Sequence, residues 1–109
     1  MEELTVAETL GASRLMGVGA QSGAVVVGLS GVRRTKGLAL VFVDVSVSDN
    51  TRREMSRLER HGARVFLCAE LAELTRTIGR EDASVVGVKA GTLAKGMMKT
   101  LPPKISDGH

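Results

Sequence analysis

A chain of 109 residues with a formal charge of +3 has the length of one domain and is too short for a multidomain enzyme. Hydrophobic residues make up 43% and charged residues 25%, close to globular averages, which excludes wholesale disorder. The single cysteine, Cys68, excludes an internal disulfide and a cysteine-built zinc site, and two aromatics, Phe42 and Phe66, leave no row of rings on which splayed bases could stack.

The first ten residues carry Glu2, Glu3 and Glu8 in place of a basic start and an apolar stretch. No secretory signal is therefore expected, and a cytoplasmic location is. No apolar run approaches membrane-spanning length, so no membrane partner is expected. The first predicted element is a helix over Leu4 to Met16, with Leu4, Ala7 and Leu10 inward. In Gly17 to Leu29 the signals conflict: Val25, Val26 and Val27 favour a strand and four glycines weaken a helix, so propensity leans to strand. Leu38 to Val45 is short, Val-rich and almost wholly apolar, as a strand covered on both faces should be. Asp49 to Gly62 follows with a helix whose start holds Ser48, Asp49 and Asn50 as cap candidates and Thr51 and Glu54 at capping-box spacing. Its Met55 and Leu58 form the apolar face and Gly62 closes it.

Ala63 to Cys68 is a second buried strand, and Glu70 to Ile78 a second helix carrying Leu71, Leu74 and Ile78. Ser84 to Lys89 is a third strand, and Thr92 to Thr100 a last helix with Leu93, Met97 and Leu101 along one stripe. Pro102 and Pro103 end it, which makes 1–101 one domain and 102–109 a flexible tail. Alternating strands and helices predict an α/β fold, with a parallel or mixed sheet covered by helices.

Candidate chemistry is sparse. Gly17, Gly19 and Gly23 form a GxGxxxG that invites a nucleotide, but no long apolar strand precedes it and no Gly-Lys-Ser or Gly-Lys-Thr exists. His61 and His109 have no obvious partners, and Asp44, Ser46, Ser48 and Asp49 are as well explained by turn and cap duty as by a site. No catalytic constellation, metal site or cofactor site is expected. Charge says more: residues 10 to 100 hold 14 bases and 8 acids, a net of +6. Arg33, Arg34 and Lys36 cluster before the first long strand, Arg52, Arg53, Arg57 and Arg60 share a helix, and Lys89, Lys95 and Lys99 come near the end. Such an excess suits a polyanionic partner.

Two segments, LVFVDVSVSDNT (Leu40 to Thr51) and ELTRTIGREDASVVGVKAGTLAKGM (Glu73 to Met97), together with LGASRLMG (Leu10 to Gly17), resemble a known family. It is the kink-turn RNA-binding superfamily of ribosomal proteins, of the L-seven-Ae and L-thirty-e types, with its small bacterial relatives. Ser48, Asp49, Asn50 and Thr51 match the family's Ser-x-Asn-Thr helix start. Ile78, Gly79, Arg80, Glu81, Asp82, Val85, Val86, Gly91, Leu93, Ala94 and Lys95 match the later segment. The resemblance spans roughly residues 8 to 100. It implies a three-layer α/β/α sandwich with a small mixed sheet, and it implies that Ser22 to Arg33 is a helix. It further implies a non-catalytic, RNA-binding, ribosome-associated protein of ribonucleoprotein particles. RNA would be held at that helix's N-terminus, Gly19, Ala20, Gln21, Ser22 and Gly23, and by the loop Arg80, Glu81, Asp82 and Ala83, with Arg14, Arg33, Arg34 and Lys36 supplying charge. Family members that bind kink-turns tightly carry a charged pair where this chain has Gln21, Ser22, Gly23 and Ala24. Two alternatives stand beside this one: a protein-interaction or self-assembling module built on a small-residue helix 22–32, and a small-ligand or nucleotide binder at Gly17 to Gly23.

Overall fold

The computed structural model describes residues 1–76 and 83–101, and of Val18, Ala20 and Gln21 it describes the backbone. The tail expected over 102–109 lies outside the described residues, as do Arg80, Glu81 and Asp82. Among the described residues five strands and five helices alternate: β1 Glu2–Leu4, α1 Val6–Ser22, β2 Val25–Val27, α2 Leu29–Arg34, β3 Leu38–Asp44, α3 Asp49–Ser56, β4 Arg64–Cys68, α4 Leu71–Thr75, β5 Val85–Lys89 and α5 Thr92–Met98. A 3-10 turn, Arg57–His61, extends α3. Gly62 then closes it in the left-handed conformation (φ 93°), the stop expected of that glycine.

The strands form one mixed sheet in the order β1-β4-β3-β5-β2. β1, β4 and β3 run parallel, while β5 is antiparallel to both β3 and β2. Apolar residues on both sides of β3 explain its near-continuous run. Leu40 and Phe42 point into one core with Met16, Phe66, Leu71, Leu74 and Met97. Val41 and Val43 point into a second with Val32, Met55, Ala63 and Val65. Helices α1, α4 and α5 cover the first face and α2, α3 and the 3-10 turn the second. The fold is thus the α/β sandwich expected, in three layers.

Three expectations are corrected. Leu4 belongs to an edge strand, and the helix after it is turned relative to the predicted face: Thr9, Ala12, Ser13 and Met16 face inward, whereas Ala7 is exposed and Leu10 is 44% exposed. The reason lies at the helix start, where Thr5 Oγ1 accepts from the Glu8 N–H at 3.1 Å and Glu8 Oε1 accepts from the Thr5 N–H at 2.9 Å. This reciprocal cap begins the helix at Val6 and so sets which residues face the sheet. The second correction concerns Ser22 to Arg33, which is not one helix. Gly23 takes the left-handed conformation (φ 79°) and closes α1, and Val25–Val27 then pair with β5. Propensity was the better guide here: three β-branched residues in a row fit a pleated ladder. Third, the capping box expected of Thr51 and Glu54 does not form: α3 starts at Asp49 as expected, and its cap is Ser48, whose hydroxyl accepts from the Thr51 N–H at 3.2 Å. Glu54, expected to reach back to the cap, pairs with Arg33 instead.

Candidate nucleic-acid interface

The sheet has two ends of different character. At the upper end lie the last residues of β2, β3 and β4 and the first of β5. There the Gly28 N–H donates to Val85 O at 2.8 Å, the Asp44 N–H to Ser84 O at 2.9 Å and the Val45 N–H to Cys68 O at 3.0 Å. At the lower end the Lys89 N–H donates to Ala24 O and the Ala90 N–H to Gly37 O, both at 2.9 Å. The seven residues of β3 separate the two ends by about 20 Å at a strand's rise per residue.

Gly19, Ala20, Gln21 and Ser22 form the last turn of α1, and Gly23 is its C-cap. Ser22 Oγ, the Gly23 N–H and the Ala24 N–H all donate to Gly19 O. The segment is therefore the carbonyl end of a 17-residue helix, where the backbone presents partial negative charge. The amide cradle that a phosphate needs is absent there, and the GxGxxxG loses its nucleotide-binding geometry for the same reason. Gly19 has a packing role: a Cβ on it would lie 2.0 Å from Leu93 Cδ2. Ala83, from the other half of the expected site, sits just before β5 at the opposite end of the sheet.

No helix starts within Gly19–Gly23; the next helix start lies further along the chain. Gly28 (φ 97°) turns the chain out of β2, and α2 begins at Leu29. Because the Gly28 N–H is bonded to Val85 O, this helix start is adjacent to the segment that precedes β5. Ser30 and Arg34 are both exposed and, four residues apart, share one face of α2. Lys36, also exposed, follows in the turn after the helix. Gly31 holds α2 close to the sheet, since a Cβ there would meet Val26 Cγ1 at 2.7 Å. The sequence did carry a signal for this site: a valine run bounded by Gly23 and Gly28, followed by Leu29-Ser30.

Arg33 points the other way. Its Nε and Nη2 donate to the two carboxylate oxygens of Glu54 at 2.6 and 2.8 Å. That paired hydrogen bond holds the Glu54 carboxyl below its ordinary range and raises Arg33. Arg33 is thus engaged inside the chain. Arg14 is exposed on α1, across the sheet from Arg34. On α3, Arg52 turns inward to donate to Val45 O, and Arg53 donates to Asn50 Oδ1.

Asp44 does turn and cap duty. It accepts from the Ser46 N–H at 3.0 Å, the Ser46 hydroxyl and the Leu71 N–H at 3.1 Å, the last in the first turn of α4. Burial works to raise its carboxyl, but the hydrogen bonds from Ser46 and Leu71 outweigh burial and hold it below the ordinary range. Beside it, burial pushes the Cys68 thiol up to about 12, against a hydrogen bond with Thr9. Cys68 is fully buried, so in the native protein it should resist iodoacetamide at pH 8 and react promptly in denaturant. Mass spectrometry after a short pulse of the reagent checks this; prompt native labelling would mean that the α1–α4 face opens.

Among the described residues no three His, Cys, Asp or Glu side chains cluster as metal ligands, and no helix is long and apolar enough to cross a membrane. No family model and no curated protein matches the chain.

Proposed function

We propose that this chain is a non-catalytic RNA-binding protein that recognises structured RNA of the kink-turn kind at the start of α2. The observation that carries this reading is the hydrogen bond from the Gly28 N–H to Val85 O. It puts the start of α2 beside the segment before the last strand; the resemblance implies RNA contacts at a helix N-terminus, which it placed at Gly19–Gly23, and at that segment. Ser30 and Arg34 on the outward face of α2 stand about 6 Å apart at a helical rise of 1.5 Å per residue, and Lys36 follows in the extended turn after it. A phosphate backbone lying along that face meets a hydroxyl and two cations in succession. The net of +6 over residues 10 to 100 supplies longer-range attraction.

A gel-shift titration against a kink-turn RNA and a control with its kink mutated tests this at fixed salt. At least tenfold preference for the kink-turn is expected, and Ser30→Glu should weaken binding by about tenfold, while Arg34→Gln should lower the salt slope by about 1. Ser22→Glu, at the other end of the sheet, should leave binding unchanged. Equal, salt-labile binding of both RNAs would defeat specific recognition, and loss on Ser22→Glu alone would return the site to Gly19–Gly23.

A self-assembling module is the second reading, on different ground from the one expected, since no helix spans 22–32. β2 is an edge strand of three half-buried valines, an arrangement open to pairing with another strand. Light scattering that finds a stable dimer, with no RNA co-purifying, would favour it.

A further inference from the structure

At the lower end of the sheet a cleft of about 370 Å³ opens between the turn after α2 and the end of the 3-10 turn. Leu38, Leu58 and Ala63 form its apolar floor, and Lys36 and His61 stand at its rim. Leu38 and Ala63 are buried, while Lys36 and His61 are exposed. Its volume falls within the roughly 300–1,000 Å³ of small-molecule sites, and its make-up, an apolar body with a few polar groups, is also theirs.

The ionisable side chains that line the cleft, Lys36 and His61, are both basic. Two acids of the flanking helices are engaged elsewhere: Glu54 with Arg33, and Glu59 with the amino group of Met1 at 3.1 Å. Among the described residues neither Lys36 nor His61 forms an ion pair, and Lys89, bonded through its backbone to Ala24, adds a cation at the same end of the sheet. An apolar floor under a cationic rim selects for a ligand with both characters.

We propose that this cleft binds a small amphipathic anion, a carboxylate or phosphate monoester on an apolar body about the size of one aromatic ring. The body lies on Leu38, Leu58 and Ala63, and the anionic head meets the Lys36 ammonium and the His61 ring N–H. The cleft lies at the opposite end of β3 from the start of α2 and shares only Lys36 with the RNA face; its apolar floor and His61 do not depend on the RNA reading.

Backbone amide NMR with phenyl phosphate, benzoate, benzyl alcohol and inorganic phosphate tests the proposal. Saturable shifts centred on Gly37, Leu58, His61 and Ala63 are expected for phenyl phosphate or benzoate, with Kd of about 1 mM for ligands this small. The tighter of the two names the head group. Benzyl alcohol and inorganic phosphate should each bind at least tenfold more weakly, because each lacks one half of the recognition. Lys36→Met should weaken the better anion about tenfold at unchanged Tm, and Lys36→Arg should restore most of it. Shifts that fail to saturate, that centre elsewhere, or that are matched by benzyl alcohol or by inorganic phosphate would overturn the proposal.

Discussion

Phe66→Ala is expected to cost about 3–5 kcal/mol of stability, the range for deleting a buried aromatic ring. Phe66 on β4 is fully buried and sits opposite Phe42 on β3, with ring centroids 5.5 Å apart and planes 19° from parallel. These two rings are the only aromatics in the chain, so the smaller side chains around them have no other large group with which to close the cavity. The Arg64 guanidinium carbon lies 4.9 Å above the Phe66 ring, and Arg64 also pairs with both carboxylate oxygens of Glu2 on β1. Loss of the ring therefore also loosens the edge-strand tether. A domain of this size has about 5–15 kcal/mol in total, and each kcal/mol moves its Tm by several degrees, so a fall of more than about 12 °C is expected. Thermal and urea unfolding followed by circular dichroism would measure it. Phe66→Leu should cost much less, because most of the volume remains. A double cycle with Phe42→Ala should be non-additive, since the two rings touch. A loss below about 1 kcal/mol for Phe66→Ala would mean that the β3–β4 core repacks around the gap, contrary to the density of protein interiors.

The central strands were legible because burial on both faces leaves a plain mark. Leu38–Asp44, Arg64–Cys68 and Val85–Lys89 each fall within a residue of the apolar run that predicts them. The two edge strands left no such mark. β1 is three residues, two of them glutamate, and it is a strand because Glu2, Glu3 and Leu4 find partners in Phe66, Leu67 and Cys68. That register is a tertiary fact, outside the reach of local pattern. α2 is equally opaque: six residues including Gly31 are a poor helix alone, and Val32, buried between α2 and the sheet, is what repays its ordering. By contrast, the Thr5–Glu8 cap was readable as a Thr-x-x-Glu pattern, and it corrects the inward face of α1 once seen.

The helix expected over Ser22 to Arg33 is the clearest case of a stretch misread. A helix does lie in this stretch, but it follows β2 and starts at Leu29, seven residues after Ser22. The difference matters chemically because Gly19–Gly23 and Gly28–Ser30 present opposite ends of a helix. One offers carbonyls and the other amides, and only the second attracts an anion. Glycine content alone could not separate them, since both stretches contain glycines in positive-φ turns, Gly23 and Gly28.

Two glycines of the same helix should respond in opposite directions to the same substitution, and this pair tests the placement of α1 most directly. Nothing lies within 4 Å of a Cβ built on Gly11. Gly11→Ala should therefore stabilise by roughly 0.5–1 kcal/mol, through the lower entropy of the unfolded chain and the better helix propensity of alanine. Gly19 is buried where α1 meets α5 and β2. A Cβ there would stand 2.0 Å from Leu93 Cδ2, 3.3 Å from Leu93 Cγ and 2.7 Å from Val25 Cγ2. The Leu93 side chain must leave its position for alanine to fit, and the methyls of valine would also press on Val25. Overpacking of this kind costs about 1–3 kcal/mol, enough to outweigh the propensity gain. Gly19→Ala should thus destabilise modestly, and Gly19→Val by about 2 kcal/mol or more, read from urea midpoints at unchanged slope. If residues 19–23 instead formed an exposed RNA-binding loop, Gly19→Val would leave stability nearly unchanged and impair RNA binding alone. A gain in stability for both Gly11→Ala and Gly19→Ala would mean that α1 does not pack on α5 through this glycine.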